Sequence, residues 1–260
     1  MSTVIYPSPI FGPIHSRRLG VSLGINLLPP DGKVCTFDCL YCECGLNADR
    51  RPKAPMPRRD EVRKALEERL KDMRENGPEP DVLTFAGNGE PTANPDFPLI
   101  IDDVRELRDR YFPKARISVL SNSTQIFRQE VFDALMKVDN NILKLDTVDN
   151  DYIRLADRPQ NPAYDAQKIV GRMAQFGGHA IVQTMFMRGT DAAGQSVDNT
   201  SDNFVLPWIE ALHRIKPQKV MIYTIDRETP VASLRKASHE DLDRILALLQ
   251  KEGFDASASY

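Results

Sequence analysis

The length, composition and charge of the chain already exclude several classes of protein. Its 260 residues suit one large domain, within the size that α/β barrels reach as single domains. A net charge of −3 disfavours a protein that surrounds nucleic acid electrostatically, and no apolar run approaches the roughly 18 residues of a membrane span. The N-terminus lacks a basic segment followed by an apolar one, and the cysteines are bunched rather than spread as a disulfide framework. We therefore expect a cytoplasmic protein with no membrane segment.

Strand-like apolar segments alternate with helical patterns along the chain after a proline-rich lead-in. Residues 1–20 form this irregular N-terminal extension, and residues 21–260 form a single domain. The predicted strands cover 21–28, 81–86, 116–121, 141–146, 180–187 and 219–224.

A helical pattern follows each of these strands. One helix begins near Asp60, the next near Asn94 with a proline in its first turn, and the last at Ser238, which forms a capping box with Asp241. Apolar residues recur with helical spacing in the others, which cover 128–138, 164–176 and 202–215.

Alternation of this kind predicts a parallel sheet flanked by helices, which right-handed crossovers curl into a barrel. Six units are too few for a complete eight-stranded barrel, so the predicted fold class is α/β, a (β/α)6 partial (open) TIM-type barrel. A long polar connection follows the fourth strand through residue 162, and the segment after Gly253 is either a final strand or a frayed tail. In such folds, chemistry belongs at the carboxyl ends of the strands.

The cysteines form a C-x₃-C-x₂-C run, Cys35, Cys39 and Cys42, directly after the first predicted strand. Three thiols in so short a loop indicate a metal centre, and soft thiolate ligands suit zinc or an iron–sulfur cluster. Structural zinc takes four protein ligands, for which Cys44 and His15 are candidates, although Cys44 follows Cys42 at a tight spacing. A cluster with three thiolates and one open iron fits the count best.

This motif, with Tyr41 ahead of the third cysteine, resembles that of the radical S-adenosylmethionine superfamily. The segment 87–92, Gly-Asn-Gly-Glu-Pro-Thr, follows the second strand and is similar to the glycine–glutamate segment of that superfamily. Together with this segment, residues 15–20 and 24–27 resemble a bacterial branch that is grouped with wyosine-synthase-like tRNA-modifying enzymes.

The resemblance implies that Cys35, Cys39 and Cys42 hold a [4Fe-4S] cluster, whose fourth iron binds the amino and carboxylate groups of S-adenosylmethionine. Reductive cleavage of S-adenosylmethionine then yields methionine and a 5′-deoxyadenosyl radical, which takes a hydrogen atom from an unknown substrate. An external electron donor of flavodoxin or ferredoxin type is implied as well, and an RNA substrate is one option. The alternative from another class is a zinc- or cluster-stapled binding protein, with RNA as one partner.

Further candidates for cofactor binding lie on the predicted strands or just beyond their ends, with Gln183 and Thr184 midway along the fifth strand. Tyr41 either stacks on the adenine or packs beneath the loop, and Glu90 either accepts from the methionine ammonium group or belongs to a tight turn. Lys144 and Asp146 either contact the ligand or pair with each other. The other candidates, each with a packing or turn role as the alternative, are Gly87, Asn88, Gly89, Ser121, Asn122, Gln183, Thr184 and Tyr223.

A basic stretch follows the cysteine loop. In sequence it lies at the mouth of the predicted site, where it either binds the phosphates of RNA or a smaller anion, or forms a solvated loop. Its members are Arg50, Arg51, Lys53, Arg58 and Arg59.

Overall fold

Strands and amphipathic helices alternate through the computed structural model, which describes residues 3–16 and 20–260. Its strands are β1 (Ile10–Ser16), β2 (Gly20–Ile25), β3 (Val82–Phe85), β4 (Arg116–Ser121), β5 (Asn140–Lys144), β6 (Ile181–Met185), β7 (Met187–Gly189), β8 (Lys219–Tyr223), β9 (Leu234–Lys236) and β10 (Ala256–Ser259). Its helices are α1 (Arg59–Asn76), α2 (Phe97–Tyr111), α3 (Gln129–Leu135), α4 (Asn150–Ala156), α5 (Ala166–Ala174), α6 (Asp202–Ile215) and α7 (His239–Lys251), with a 3₁₀ turn at Pro91–Ala93.

The main sheet within these ranges has the strand order β1-β2-β3-β4-β5-β6-β8-β10. Neighbours from β2 to β10 pair in parallel, whereas β1 pairs antiparallel with β2. Because β1 and β10 are the two edges, the barrel is open between them. The six predicted strands are β2, β3, β4, β5, β6 and β8, so the expected (β/α)6 partial barrel is confirmed.

The register of the sheet aligns the carboxyl ends of its parallel strands. Ile25 lies beside Phe85, and Phe85 lies beside Val119. Farther around the barrel, Lys144 pairs with Gln183. The segments that follow these strands therefore lie at one rim, which is where barrels of this class carry their chemistry.

The helices cover the outer face of the sheet and share one apolar core with it. In α1, Val62, Leu66, Leu70 and Met73 recur at helical spacing and are all buried, as the sequence predicted. Burial of each such side chain stabilises the fold by about 1.5–3 kcal/mol.

The prediction of an irregular lead-in was wrong, because residues 10–16 form the edge strand β1. The prolines of this lead-in are typical of irregular structure. Proline is nevertheless tolerated on an edge strand, where a backbone donor is not needed. The pairing with β2 is irregular between Phe11 and Ile14, the interval that contains Pro13.

The prediction of a polar connection after the fourth strand was also wrong, because this segment contains the short helix α4. Asp149 caps this helix by accepting from Asp151 N at 2.8 Å and from Tyr152 N at 2.9 Å. Helix α4 has 7 residues, or about two turns. So short a helix offers too few apolar positions for a periodic pattern, and the sequence therefore does not predict it.

Other differences concern helix starts and the C-terminal segment. The 3₁₀ turn intervenes near Asn94, so α2 starts later, after Asp96. Arg58, rather than Asp60, precedes the first turn of α1. The segment after Gly253 is a strand, β10, whereas β7 and β9 form a small antiparallel pair that the sequence did not predict.

The capping box of α7 is confirmed, because Asp241 N donates to Ser238 Oγ at 3.1 Å and Ser238 N donates to Asp241 Oδ2 at 2.9 Å. The Arg17-Arg18 pair and Leu19 lie outside the described residues, and the domain boundary predicted after residue 20 stays a prediction. No helix within the described ranges is both long and apolar enough to cross a lipid bilayer.

Candidate active site

The cysteine loop lies beyond the carboxyl end of β2 and pairs directly with the glycine–glutamate segment that follows β3. Val34 N donates to Asn88 O at 3.0 Å, and Glu90 N donates to Val34 O at 3.0 Å. Gly89 has a φ of 129°, and a Cβ there would lie 1.9 Å from Val34 O. Glycine is therefore required at this position, because only a residue without a side chain allows the two backbones to approach so closely.

The other side of the cysteine loop is held by the C-terminal end of α4. Leu40 N donates to Ala156 O and Asp38 N donates to Asp157 O, each at 2.9 Å. Phe37, Leu40 and Tyr41 also pack with Tyr152 and Ala156 in an apolar cluster separate from the main core. Helix α4, which the sequence did not predict, thus positions the cysteine loop.

Asn47 fixes the turn of the cysteine loop from within. Its backbone N–H donates to Asp38 Oδ1 at 2.7 Å, and its side-chain amide donates to Phe37 O at 3.0 Å and to Cys35 O at 3.4 Å. These bonds hold the backbone on either side of Thr36.

Lys33 places a positive charge beside the cysteines. Its side chain is 1% exposed, donates to Gly45 O at 2.7 Å and lies 3.5 Å from Asp38 Oδ1. Burial opposes the charged ammonium, but attraction to the thiolates of Cys42, Cys35 and Cys39 outweighs that cost and raises the pKa of Lys33. A buried cation of this kind offsets negative charge collected at the three sulfurs.

The cysteines themselves have unequal surroundings. Burial, reinforced by the nearby Glu90, raises the pKa of Cys35 to about 12. A hydrogen bond from Cys44, assisted by Lys33, lowers the pKa of Cys42. Cys44 is buried, and its thiol also lies 3.4 Å from Gly87 O. Cys42 is thus the member of the motif best disposed to be a thiolate, and Cys44 supports it.

The chemistry of this donor set fits an iron–sulfur cluster. Cys35, Cys39, Cys42 and Cys44 are all free of disulfides. Among the described residues, no three histidine, cysteine, aspartate or glutamate side chains converge on a position for a single metal ion, as a zinc site requires. A cluster with several irons spreads its thiolate ligands over different metal atoms, so it does not require the thiols to converge on one position.

Glu90 is buried and bound by the protein on both carboxylate oxygens. Oε1 accepts from Thr92 N at 3.1 Å and from Ser121 Oγ at 2.9 Å, and Oε2 accepts from Asn122 N at 2.6 Å. Burial raises the pKa of Glu90, although these hydrogen bonds oppose the rise. Asn122 also donates to Thr36 Oγ1 at 2.8 Å, so the carboxylate links the turn after β3, the end of β4 and the cysteine loop.

A buried charged network lies beneath the cysteine loop. Lys144 forms ion pairs with Asp146 and, at 2.9 Å, with Asp157 Oδ1. The Tyr41 hydroxyl donates to Asp146 and is 3.1 Å from Asp157 Oδ1, while the Lys144 ammonium lies 5.1 Å from the centre of the Tyr41 ring. Burial raises the pKa of Asp157, with Lys144 opposing, and also raises that of Tyr41. The mutual pairing of Lys144 and Asp146 is the second of the two roles that the sequence allowed.

Asn88 connects the site to the N-terminal segment. Its side-chain amide donates to Tyr6 O and to Pro29 O, each at 2.9 Å, and its Oδ1 accepts from Tyr6 N at 2.8 Å. Asn26 adds a bond from its amide to Tyr6 O at 3.2 Å. The sequence does not predict these hydrogen bonds, because no local pattern marks residue 6 as a partner of residue 88.

A cavity of about 520 Å³ opens beside these groups at the rim of the barrel. The predicted cofactor and metal residues that line it are Tyr41, Cys42, Gly87, Gly89, Gln183 and Tyr223. The other predicted residues do not line it, namely Cys35, Cys39, Asn88, Glu90, Ser121, Asn122, Lys144, Asp146 and Thr184. Of these, Asn88, Glu90, Lys144 and Asp146 bond to other segments around the cysteine loop.

The basic stretch lies away from the cavity lining. Arg59 donates to Asp103 of α2 at 2.6 Å, and Arg50 donates to Thr3. Arg51, Lys53 and Arg58 are exposed. The solvated-loop interpretation agrees with these positions, and the binding of RNA or another anion there stays a prediction.

Comparison with known proteins agrees with this geometry. The family model described as Radical SAM superfamily matches residues 30–193, which include all three cysteines and the glycine–glutamate segment. A UPF0026 protein of Methanocaldococcus jannaschii is 30% identical over 93% of this chain and 71% of that protein. A protein of Brachyspira hyodysenteriae named GTPase Obg is 27% identical over 96% of this chain, which spans only 34% of its length.

Solved structures share the partial-barrel fold at low sequence identity. Streptococcus suis SuiB bound to S-adenosylmethionine has a TM-score of 0.64 and 13% identity, covering 90% of this chain and 50% of SuiB. TYW1 with a lysine–pyruvate adduct bound has a TM-score of 0.59 and 14% identity, covering 88% of this chain and 73% of TYW1. The chain therefore belongs to the radical SAM superfamily, a superfamily of enzymes.

Proposed function

We propose that Cys35, Cys39 and Cys42 hold a [4Fe-4S] cluster and that the chain reductively cleaves S-adenosylmethionine to a 5′-deoxyadenosyl radical. The observation that carries this proposal is the position of the three free thiols, in a loop bound to the glycine–glutamate turn and facing a buried lysine. When bound, the cluster and S-adenosylmethionine supply the electron transfer and the radical chemistry. The residues of the chain bind, orient and shield these groups.

Several side chains have clear tasks in this proposal. Lys33 offsets the negative charge of the thiolates, and Gly87 and Gly89 line the cavity with backbone. Gln183 faces the cavity, is 9% exposed, and its side-chain amide makes no hydrogen bond within the described residues. Because this amide faces the cavity and not a protein partner, we assign it to a polar group of S-adenosylmethionine.

The proposal includes a cytoplasmic protein that takes its electron from a donor of flavodoxin or ferredoxin type. Free cysteines support the reducing compartment. The zinc-stapled binding protein remains the competing hypothesis, but a zinc ion needs ligands that converge on one position, and the described residues contain no such group.

Anaerobic reconstitution with iron and sulfide, followed by reduction and addition of S-adenosylmethionine, tests the proposal. We expect about four iron atoms per chain and formation of 5′-deoxyadenosine in the wild type. Each of Cys35→Ala, Cys39→Ala and Cys42→Ala should abolish 5′-deoxyadenosine formation and reduce the bound iron.

Cys44→Ser is the matched control, because serine keeps a hydrogen-bond donor to Cys42 and removes the thiol of the same loop that the proposal leaves outside the ligand set. It should retain the iron and the activity. Absence of 5′-deoxyadenosine from the wild type above the Cys39→Ala background would refute the proposal, and about one zinc ion per chain would favour the binding-protein hypothesis.

A further inference from the structure

We propose that the two ends of the chain build a second subsite in the cavity, with Tyr6 and Phe11 as its wall, and that this subsite binds a planar ring of the substrate. The inference rests on the proposed function, because it takes the other part of the cavity as the site of S-adenosylmethionine. It assigns a chemical class to the substrate group that lies beside the cofactor.

The cavity has two parts that differ in their origin along the chain. The part beside the cysteines comes from residues inside the matched range 30–193, such as Cys42, Gly87 and Gln183. The other part comes mainly from outside that range, from the N-terminal segment, β1, β2, the segment after β8, and β10. Elements common to the superfamily thus face elements that the superfamily match does not include, as expected where a shared cofactor meets a substrate particular to one enzyme.

The Phe11 ring lines the cavity and covers Gly24 of β2, which has no side chain. Phe11 is the cross-strand partner of Gly24, and a Cβ on Gly24 would lie 2.2, 2.4 and 2.4 Å from Cζ, Cε1 and Cε2 of the ring. Nearly equal distances to three ring atoms mean that the ring lies flat against the Gly24 backbone. Glycine at this position allows the aromatic face to form part of the cavity wall.

Tyr6 extends that wall and is fixed at both ends. Its ring centre is 4.8 Å from that of Phe11, with 35° between the planes. Its backbone is held by Asn88, and its hydroxyl accepts from Arg227 Nη1 at 2.9 Å. Arg227 also pairs with Glu43 at 2.8 Å, so the wall is tied to the cysteine loop. Two aromatic rings held in this way form a rigid surface rather than a mobile tail.

The rest of the subsite carries both neutral and charged groups. Ser22 and Thr84 face the cavity from β2 and β3 and share a hydrogen bond of 2.8 Å. Asp226 and Arg227 line the cavity from the segment after β8, and Arg227 is paired with Glu43. Beside these groups, a planar ring can stack on Tyr6 and Phe11 and exchange hydrogen bonds with the Ser22 and Thr84 hydroxyls.

Two matched small probes test this subsite. Benzamide and cyclohexanecarboxamide carry the same uncharged amide on a planar and on a saturated ring. Binding of each to the full, reconstituted chain is measured by saturation-transfer NMR with S-adenosylmethionine present in excess, so that the cofactor part of the cavity is filled. We expect benzamide to bind and cyclohexanecarboxamide to bind several-fold more weakly.

Variants of the wall identify where the probe binds. Phe11→Ala removes the ring and Gly24→Ala displaces it, so each should weaken benzamide binding by about twofold to tenfold. Phe127→Ala, which alters an exposed phenylalanine outside the cavity, should leave binding unchanged. Phe11→Leu, which keeps apolar bulk but has no ring face, replaces Phe11→Ala if that variant fails to fold.

The outcomes separate this inference from the proposed function. The subsite is refuted if benzamide does not bind, if both probes bind equally, or if the wall variants bind it like the wild type. Formation of 5′-deoxyadenosine, measured on the same preparation, reports on the proposed function alone. A preparation that cleaves S-adenosylmethionine without selecting the planar probe would leave the function in place and overturn the subsite.

Discussion

Glu90 shows at the scale of one residue that a side chain predicted to contact the ligand also has structural partners. Its carboxylate accepts bonds from Thr92, Ser121 and Asn122, which join three segments of the rim. In Glu90→Gln one acceptor oxygen becomes a donor amide that faces another donor. We expect the free energy of unfolding to fall by about 1–3 kcal/mol, measured by urea denaturation of the apoprotein.

Glu79→Gln provides the control for this substitution. Glu79 is exposed, so the same chemical change there should alter the free energy of unfolding by less than about 0.5 kcal/mol. Equal stabilities of the two variants would show that the hydrogen bonds to Glu90 do not hold the rim together.

At the scale of elements, α1 and α2 are joined by a carboxylate with two arginine partners. Asp103 Oδ2 accepts from Arg59 Nε at 2.6 Å, and Asp103 Oδ1 accepts from Arg63 Nη1 at 2.8 Å. The hydrogen bond from Arg59, aided by the charges of both arginines, lowers the pKa of Asp103. Asp103→Asn should reduce the free energy of unfolding by about 1–2 kcal/mol at pH 7, since both arginines are partly exposed and screened by solvent.

The same pair predicts a pH dependence. Because the folded-state pKa of Asp103 is depressed, its stabilisation is present above the unfolded value of about 4 and is lost as pH falls below that value. The difference in unfolding free energy between wild type and Asp103→Asn should therefore shrink between pH 5 and pH 3. Glu68→Gln, at an exposed position of α1, should show no such convergence, and a constant difference for Asp103→Asn would contradict the assignment.

The short helix α4 is a second example at the scale of elements. Its C-terminal residues Ala156 and Asp157 provide carbonyl partners for the cysteine loop, and Asp157 also reaches Lys144. A short helix that no sequence pattern predicts thus holds the cysteine loop in place.

At the scale of the whole molecule, one core joins strands from both halves of the sheet to the helices around it. Trp208 of α6 is 1% exposed and donates to Leu145 O, just after β5, at 3.0 Å. We expect its fluorescence and the far-UV ellipticity to change together in urea, with coincident midpoints, because neither half has a core of its own. Two separated midpoints would indicate two independently folding parts.

The sequence by itself determined the alternation of strands and helices, the open barrel and the place of the cysteines. These follow from local patterns, since apolar spacing and cysteine spacing are properties of neighbouring residues. The glycines at 87 and 89 were also readable, because a turn that needs close backbone contact leaves few other residue types.

Only the tertiary structure decided which polar residues face the cavity and which support it. Asn88 bonds to Tyr6 across 82 positions, and Phe11 lies against Gly24 through a strand that the sequence did not predict. Asp157 meets the hydroxyl of Tyr41 across 116 positions. Such contacts depend on how the strands are ordered in the sheet, and no pattern within a short window of sequence records that order.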